Sequence, residues 1–273
     1  MNKNIKLAVA GAVLALSATA ANAGIIIPAG EWTLDVNGNV NMYTSWGKAN
    51  GQNAVGAGGL IIDTGAANKK TVNGFGNGLL PNFLSFTGTT RQNDLDVSFT
   101  ISIQPGSADA KGATLGSQNN RQAFLTFGDK SWGSVKIGKD LGVFASDAIL
   151  NDMTLLGVGA GTGPGNTTLG RIGTGFQYAD WKQQIAYTTP NFNGFQATVG
   201  ITQAWSATST GSASLSTSGQ GGGSPAYEGK ASYSFAANDV KGKIWVSGIS
   251  QKVDGVASGE NNAYSADIGA NLN

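Results

Sequence analysis

The stretch LDVSFTISIQ, from Leu95 to Gln104, decides the fold of this 273-residue chain. Its apolar side chains occupy every second position: Leu95, Val97, Phe99, Ile101 and Ile103 alternate with Asp96, Ser98, Thr100, Ser102 and Gln104. A period of two predicts a β-strand with one apolar and one polar face. The strand is longer than the roughly 5–6 residues usual in globular proteins, and it matches the roughly 9–11 residues that a tilted strand needs to cross a bilayer.

The same alternation recurs along the chain and predicts ten strands. They are placed at 34–42, 82–91, 95–104, 120–128, 134–139, 182–189, 195–202, 227–235, 241–251 and 264–272. Short joins near 92–94, 129–133, 190–194 and 236–239 alternate with long, Gly-rich joins at 47–80, 105–119, 140–180, 204–226 and 252–262. Transmembrane β-barrels alternate short and long connections in this way. The pattern favours an all-β, antiparallel transmembrane barrel, and a water-soluble β-sandwich is the alternative.

The composition excludes several kinds of chemistry. The chain has no Cys and no His, so disulfides, zinc–thiolate sites and His-dependent catalysis are excluded. Its 17 basic and 16 acidic residues leave no electrostatic footprint for nucleic acid. We find no paired carboxylates at a fixed spacing, and we expect no enzymatic activity, no cofactor and no metal.

The first 23 residues have the order of a secretory signal peptide. Lys3 and Lys6 precede an apolar run from Leu7 to Leu16, and Ala21-Asn22-Ala23 offers a cleavage site with small residues. The run is too short for a spanning helix, which needs about 20 residues. We therefore predict a signal peptide at 1–23, export, and a mature barrel domain at 24–273.

Three motifs resemble the general porins of Gram-negative bacteria. The most specific block is NRQAFLTFGDKSWGSVKIGKDLGVFASDAILNDM, which starts at Asn120. IAYTTPNFNGF follows from Ile185, and LPNFLSFTGTT lies earlier, at Leu80–Thr90. The resemblance implies an outer-membrane diffusion channel for small hydrophilic solutes and ions, assembled as a homotrimer in the outer-membrane lipid. It also implies that a third loop, at about 140–180, folds into the pore and constricts it.

The resemblance assigns candidate pore residues position by position. Asp147 and Asp152 fall in the acidic third loop. Arg121 and Arg171 match basic residues of the barrel wall, and the predicted lumen face also carries Lys136 and Lys182. Opposed acidic and basic groups across a narrow gap would sort solutes by size and charge.

Two questions stay open at the level of sequence. The family's barrels have sixteen strands and ten are predicted here, so we expect the N-terminal part of such a barrel; a small ten-strand barrel is the other possibility. The alternative function is a secreted or outer-membrane β-rich binding or structural protein without a pore. The permeating solute, ion preference and gating have no sequence signal.

Overall fold

A computed structural model describes residues 24–40, 43–48, 71–76, 80–105, 118–151, 155, 179–204, 224–237, 240–255 and 259–272. Only the backbone is described at 43–48, 71–76, 253–255 and 259–261. Within these ranges the strands are β1 (Ile25–Ala29), β2 (Trp32–Asn39), β3 (Tyr43–Lys48), β4 (Thr71–Gly76), β5 (Phe83–Gln92), β6 (Leu95–Pro105), β7 (Gln118–Asp129), β8 (Gly133–Leu141), β9 (Trp181–Thr188), β10 (Phe195–Thr202), β11 (Ala226–Ala237), β12 (Val240–Gly255) and β13 (Gly259–Leu272). One short helix, α1 (Ser146–Leu150), follows β8.

Eleven strands form one sheet in the order β1-β2-β5-β6-β7-β8-β9-β10-β11-β12-β13, and β3 pairs with β4 separately. Neighbouring strands are antiparallel throughout. All ten predicted strands are present, and the predicted all-β antiparallel fold is confirmed. No pairing joins β1 to β13 among the described residues, so the sheet has two edges there.

Three strands and one connection differ from the sequence prediction. β1 has the sequence IIIPA, which does not alternate, and β4 lies inside the predicted loop at 47–80, as does the end of β3. The predicted long join at 252–262 is wrong, because β12 and β13 stay paired as far as Gly255 and Gly259. The joining ends of β12 and β13 are mostly polar and give no period-two signal, but their backbone groups still complete the hydrogen-bonded ladder.

The short turn between β5 and β6 follows from its two central residues. Asn93 and Asp94 both have positive φ, at 48° and 62°. A two-residue hairpin of type I′ requires this conformation at both positions, and Asn and Asp tolerate it better than most residues. The turn places Arg91 opposite Asp96, where the two side chains form an ion pair at 2.8 Å.

The two faces of the sheet have opposite polarity. We call the face that carries α1 the inner face, and the opposite one the outer face. On β6, Thr100, Ser102 and Gln104 are buried on the inner face, whereas Ile101 on the outer face is 51% exposed. Exposed apolar side chains also follow the outer face of the neighbouring strands: Leu84, Phe86, Leu125, Ile137, Ile185, Val199, Ile201, Ile244, Val246 and Ile268. A water-soluble sandwich would bury this apolar face, whereas a transmembrane barrel turns it to lipid.

One glycine of the sheet is required by both its conformation and its surroundings. Gly138 in β8 has φ +124°, and a Cβ there would contact the Ala123 carbonyl oxygen and lie 2.7 Å from the Phe124 Cα. We expect Gly138→Ala to lower the free energy of unfolding by roughly 1–3 kcal/mol, because neither backbone group can move away. Urea unfolding of the detergent-folded protein, followed by far-UV circular dichroism, measures this change.

Gly229→Ala is the matched control for this substitution. The nearest atom to a Cβ at Gly229 in β11 is 3.9 Å away, so the change should alter unfolding by less than about 0.5 kcal/mol. Equal midpoints for the two variants would contradict the proposed clash at Gly138.

Candidate functional site

After β8, residues 142–151 lie against the inner face of the sheet. The Gly142 amide donates to the Asp180 carbonyl oxygen at 2.8 Å, which closes the base of this excursion against the start of β9. Phe144 and Ala145 are buried, and they form a small apolar cluster with Ala179, Ala204, Ala226 and Ile249. We call residues 142–151 the inward segment. Within the described ranges, no helix is long and apolar enough to span a membrane.

Glu228 on β11 anchors the start of the inward segment. Its Oε2 accepts a hydrogen bond from the Phe144 amide at 2.7 Å, and its Oε1 accepts one from the Thr202 hydroxyl at 2.8 Å. The same oxygen pairs with the Lys182 ammonium. The Lys182 and Glu228 side chains are 1% and 0% exposed, so each charge is removed from water and depends on the other.

Asp147 anchors the helix α1 in the same way. Lys230 lies 3.0 Å from its Oδ2, and Lys243 pairs with its Oδ1. Lys230 also donates to the Ser146 hydroxyl at 3.0 Å, and the Ala145 amide donates to the Ser247 hydroxyl at 3.0 Å. The helix is therefore fixed to β11 and β12 by two cations and one hydroxyl.

The ionisation of Asp147 reflects this environment. Burial acts to raise the pKa of Asp147, but the attraction of Lys230 and the hydrogen bond from Lys243 outweigh it. The pKa of Asp147 therefore lies below its ordinary value. By contrast, burial raises the pKa of Asp180, which lies at the base of the excursion, despite the hydrogen bond that its Oδ1 accepts from the Trp181 amide.

The lowered pKa of Asp147 predicts an acid-sensitive contribution to stability. A depressed folded pKa gives stabilisation that is present above the unfolded value of about 3.9 and lost as the pH falls through the folded pKa. We expect the thermal midpoint of the detergent-folded protein to fall on acidification below about pH 4, and less steeply in Asp147→Asn. Parallel pH profiles for the two proteins would contradict this assignment.

A third charged pair lies on β8. Asp140 is buried, pairs with Lys136 and accepts a hydrogen bond from the Gln122 amide group at 3.0 Å. The Lys136 ammonium also lies 4.8 Å from the centre of the Phe124 ring. The Lys136 side chain is 30% exposed, so this cation remains accessible from the inner face.

The structure brings together some of the residues that the sequence suggested and not others. Asp147, Lys136 and Lys182 all lie on the inner face, the last as half of a sealed ion pair. Arg121 is directed to the outer face, where its guanidinium lies 5.6 Å from the centre of the Trp181 ring. Asp152 and Arg171 lie outside the described residues, as do 1–23 and most of the predicted third loop.

Several charged residues of the site were missed by sequence reasoning. Asp140, Glu228, Lys230, Lys243 and Asp267 all make inner-face contacts. The available signal was the alternation of side chains, because these charges occupy every second position of their strands together with residues such as Ser134, Ser232 and Ser247. The described residues contain no group of three His, Cys, Asp or Glu side chains that could hold a metal ion.

Comparison with known proteins identifies the family. A family model described as Gram-negative porin matches residues 8–273. A search of curated proteins found no match. Among solved structures, Salmonella typhi OmpF in a complex with daunomycin is similar with 13% identity and a TM-score of 0.41, over 89% of this chain and 75% of that chain. Because the family match covers nearly the whole sequence, the chain belongs to the Gram-negative porins, a family of β-barrel channels in the outer membrane.

Proposed function

We propose that this protein is a passive diffusion channel for small hydrophilic solutes and ions, without enzymatic activity. The observation that carries the proposal is the polarity of the sheet. Its outer face presents exposed Ile, Leu, Val and Phe, while its inner face is lined by polar and charged groups and carries the inward segment. A wall of this kind separates lipid from water, which is what a diffusion pore requires.

The inward segment supplies the constriction in this proposal. Its carboxylate, Asp147, faces Lys230 and Lys243, and Lys136 with Asp140 adds a second pair of opposed charges along the wall. Opposed charges on a polar surface produce a transverse field that discriminates solutes by charge and dipole. Asp152 and Arg171 belong to the same proposal as further constriction residues in the third loop.

Lys182 has a different part in the proposal. Its side chain is 1% exposed and bound to Glu228, so it holds the inward segment to the wall and does not meet permeating ions. The charges that face solutes are therefore assigned to Lys136, Lys230 and Lys243, whose side chains are 30%, 22% and 32% exposed, and the buried Asp147 sets the net charge of this group by compensating Lys230 and Lys243.

Single-channel recording in planar lipid bilayers tests the proposal. The full-length protein, folded in detergent, should insert and give discrete steps whose current rises linearly with voltage. Liposomes that carry the protein should also swell in small sugars and not in large oligosaccharides. Folded, inserted protein with no conductance would contradict the channel function and favour a structural or binding protein.

The remaining elements of the proposal are export and assembly. We propose that residues 1–23 are removed on export and that residues 24–273 assemble in the outer membrane as a homotrimer. The mass of the protein recovered from outer membranes tests the cleavage, and its mass in detergent tests the trimer. A retained leader or a monomeric particle would contradict these two points separately.

A further inference from the structure

Two cations, Arg121 and Lys139, lie on the outer face of the sheet. Arg121 is near the start of β7 and Lys139 is near the end of β8, where these strands join the long connections. Arg121 has the same parity in β7 as the outward Ala123 and Leu125, both of which are exposed. Lys139 has the same parity in β8 as the outward Ile137 and pairs in register with Ala123. Arg121 and Lys139 are thus diagonal neighbours on one face, a separation of roughly 7–8 Å.

A β-bulge and a tryptophan set the position of Arg121. The register between β6 and β7 shifts at Ser102 and Ile103, whose partners are Gln122 and Asn120, so Arg121 is the extra residue. An extra residue of this kind has no residue opposite it on the neighbouring strand. The guanidinium lies 5.6 Å from the centre of the Trp181 ring, and Trp181 points outward because the next residue, Lys182, points inward. We call Arg121, Lys139 and Trp181 the outer cation patch.

The patch differs from the inner face in the pairing of its charges. On the inner face, Lys136, Lys182, Lys230 and Lys243 each have a carboxylate partner. In the part of the chain that the structure describes, neither Arg121 nor Lys139 has one within 4.0 Å. The nearby Asp180 is buried and its Oδ1 accepts a hydrogen bond from the Trp181 amide, and Lys139 attracts it from beyond ion-pair distance.

A cation on this face that has no carboxylate partner among the described residues can attract an anion from the membrane. Arg or Lys on the lipid face of a barrel costs about 2–4 kcal/mol at the bilayer midplane and about 0–1 kcal/mol near the interface. Trp rings are also typical of the interface. A guanidinium that stacks on an aromatic ring keeps its N–H edges free, and their geometry matches two oxygens of a phosphate.

We propose that the outer cation patch binds the phosphate of an outer-leaflet lipid headgroup. Arg121, whose guanidinium lies 5.6 Å from the centre of the Trp181 ring, would donate two hydrogen bonds to the phosphate, and Lys139 would add a point charge. The lipid's acyl chains would then lie against the exposed apolar side chains below, such as Leu125 and Ile137, which are 40% and 43% exposed. This inference rests on the proposed location of the sheet in the outer membrane and not on conductance. A failure of lipid binding can therefore be distinguished from a failure of the channel function.

The test measures how lipids stabilise the full-length protein in detergent. Diphosphorylated lipid A should raise the thermal midpoint of the protein in a saturable way, and zwitterionic phosphatidylcholine should raise it less. Arg121→Gln and Lys139→Gln should each weaken the apparent affinity for lipid A roughly tenfold, since each removes one charge-assisted contact. Arg121→Lys, which keeps the charge and loses the planar fork, should fall between wild type and Arg121→Gln.

The matched control is Lys130→Gln, which removes a charge of the same sign from the short turn between β7 and β8, at the opposite end of these strands. It should leave the affinity for lipid A unchanged. Equal weakening by Lys130→Gln would overturn the proposal, because it would indicate attraction to net charge alone. Inorganic phosphate that stabilises the protein as well as lipid A does would overturn the lipid as the source of the phosphate. If Arg121→Gln does not fold, unchanged lipid binding by Lys139→Gln would overturn the proposal independently.

Discussion

Glu228→Gln is expected to lower the free energy of unfolding by roughly 3–5 kcal/mol, as is usual when one partner of a buried ion pair is removed. The substitution keeps the size of the side chain and an oxygen that can accept the Phe144 amide, but it removes the charge opposite Lys182. The Lys182 side chain is 1% exposed, so its ammonium would have neither water nor a counter-ion. Urea unfolding of the detergent-folded protein, followed by tryptophan fluorescence, measures the loss.

The double variant Lys182→Met/Glu228→Gln separates the charge from the packing. It leaves no uncompensated charge in the site, so it should be more stable than Glu228→Gln alone. Thr202→Val is the control for the neutral hydrogen bond to Glu228 Oε1, and it should cost only about 0.5–1.5 kcal/mol. A double variant whose loss equals the sum of the two single losses would show that the pair is not coupled.

Loss of this pair should also release the inward segment. Glu228 accepts the Phe144 amide at 2.7 Å, and this bond connects the first turn of the segment to the wall. We therefore expect Glu228→Ala, which removes this acceptor together with the charge, to increase cleavage by added protease within residues 142–151 more than Glu228→Gln does, while the paired strands remain protected. The effect on the segment is local, whereas the effect on unfolding is global.

The strands of the sheet could be predicted from the sequence because apolar and polar side chains alternate along them. β10 has the bounds predicted for it, Phe195–Thr202, and β6 differs by one residue. The period of two is a direct consequence of a wall with lipid on one side and polar groups on the other. The prediction failed where this contrast disappears, as at the far ends of β12 and β13, which pair in register as far as Gly255 and Gly259.

The partners within the site could not be predicted in the same way. Lys182 and Glu228 stand on β9 and β11, which are separated by β10, and their contact depends on the register of two successive pairings. The alternation of side chains gives the face of the sheet on which a residue lies. It does not give which residue lies beside it on the neighbouring strand. Arg121 shows a second limit, because a bulge opposite Ser102 and Ile103 shifts the pairing of the residues that precede it, and no residue pattern in the sequence predicts this shift.

Asp147→Asn is expected to shift the proposed channel toward anions. The carboxylate compensates Lys230 at 3.0 Å and also pairs with Lys243, so its neutralisation leaves two cations on the inner wall with a net gain of one positive charge. A unit charge about 4 Å from a permeating ion is worth about 1 kcal/mol in water, favourable for chloride and unfavourable for potassium. The two effects add to about 2 kcal/mol, or roughly a thirtyfold change in the chloride-to-potassium permeability ratio. The reversal potential across a bilayer in a potassium chloride gradient measures this ratio.

Salt and a second substitution distinguish this field from a change in pore width. The shift should be large at about 0.1 M salt, where the Debye length is about 10 Å, and should shrink at about 1 M, where it is about 3 Å. Asp147→Asn/Lys243→Met removes one charge of each sign and should restore the selectivity of the unmodified protein at both concentrations. Asp94→Asn, at an exposed turn, should have no effect. If Asp147→Asn raised the conductance without moving the reversal potential, the side chain would hold the segment in place without contributing to the field. The constriction charge would then have to lie elsewhere in the third loop.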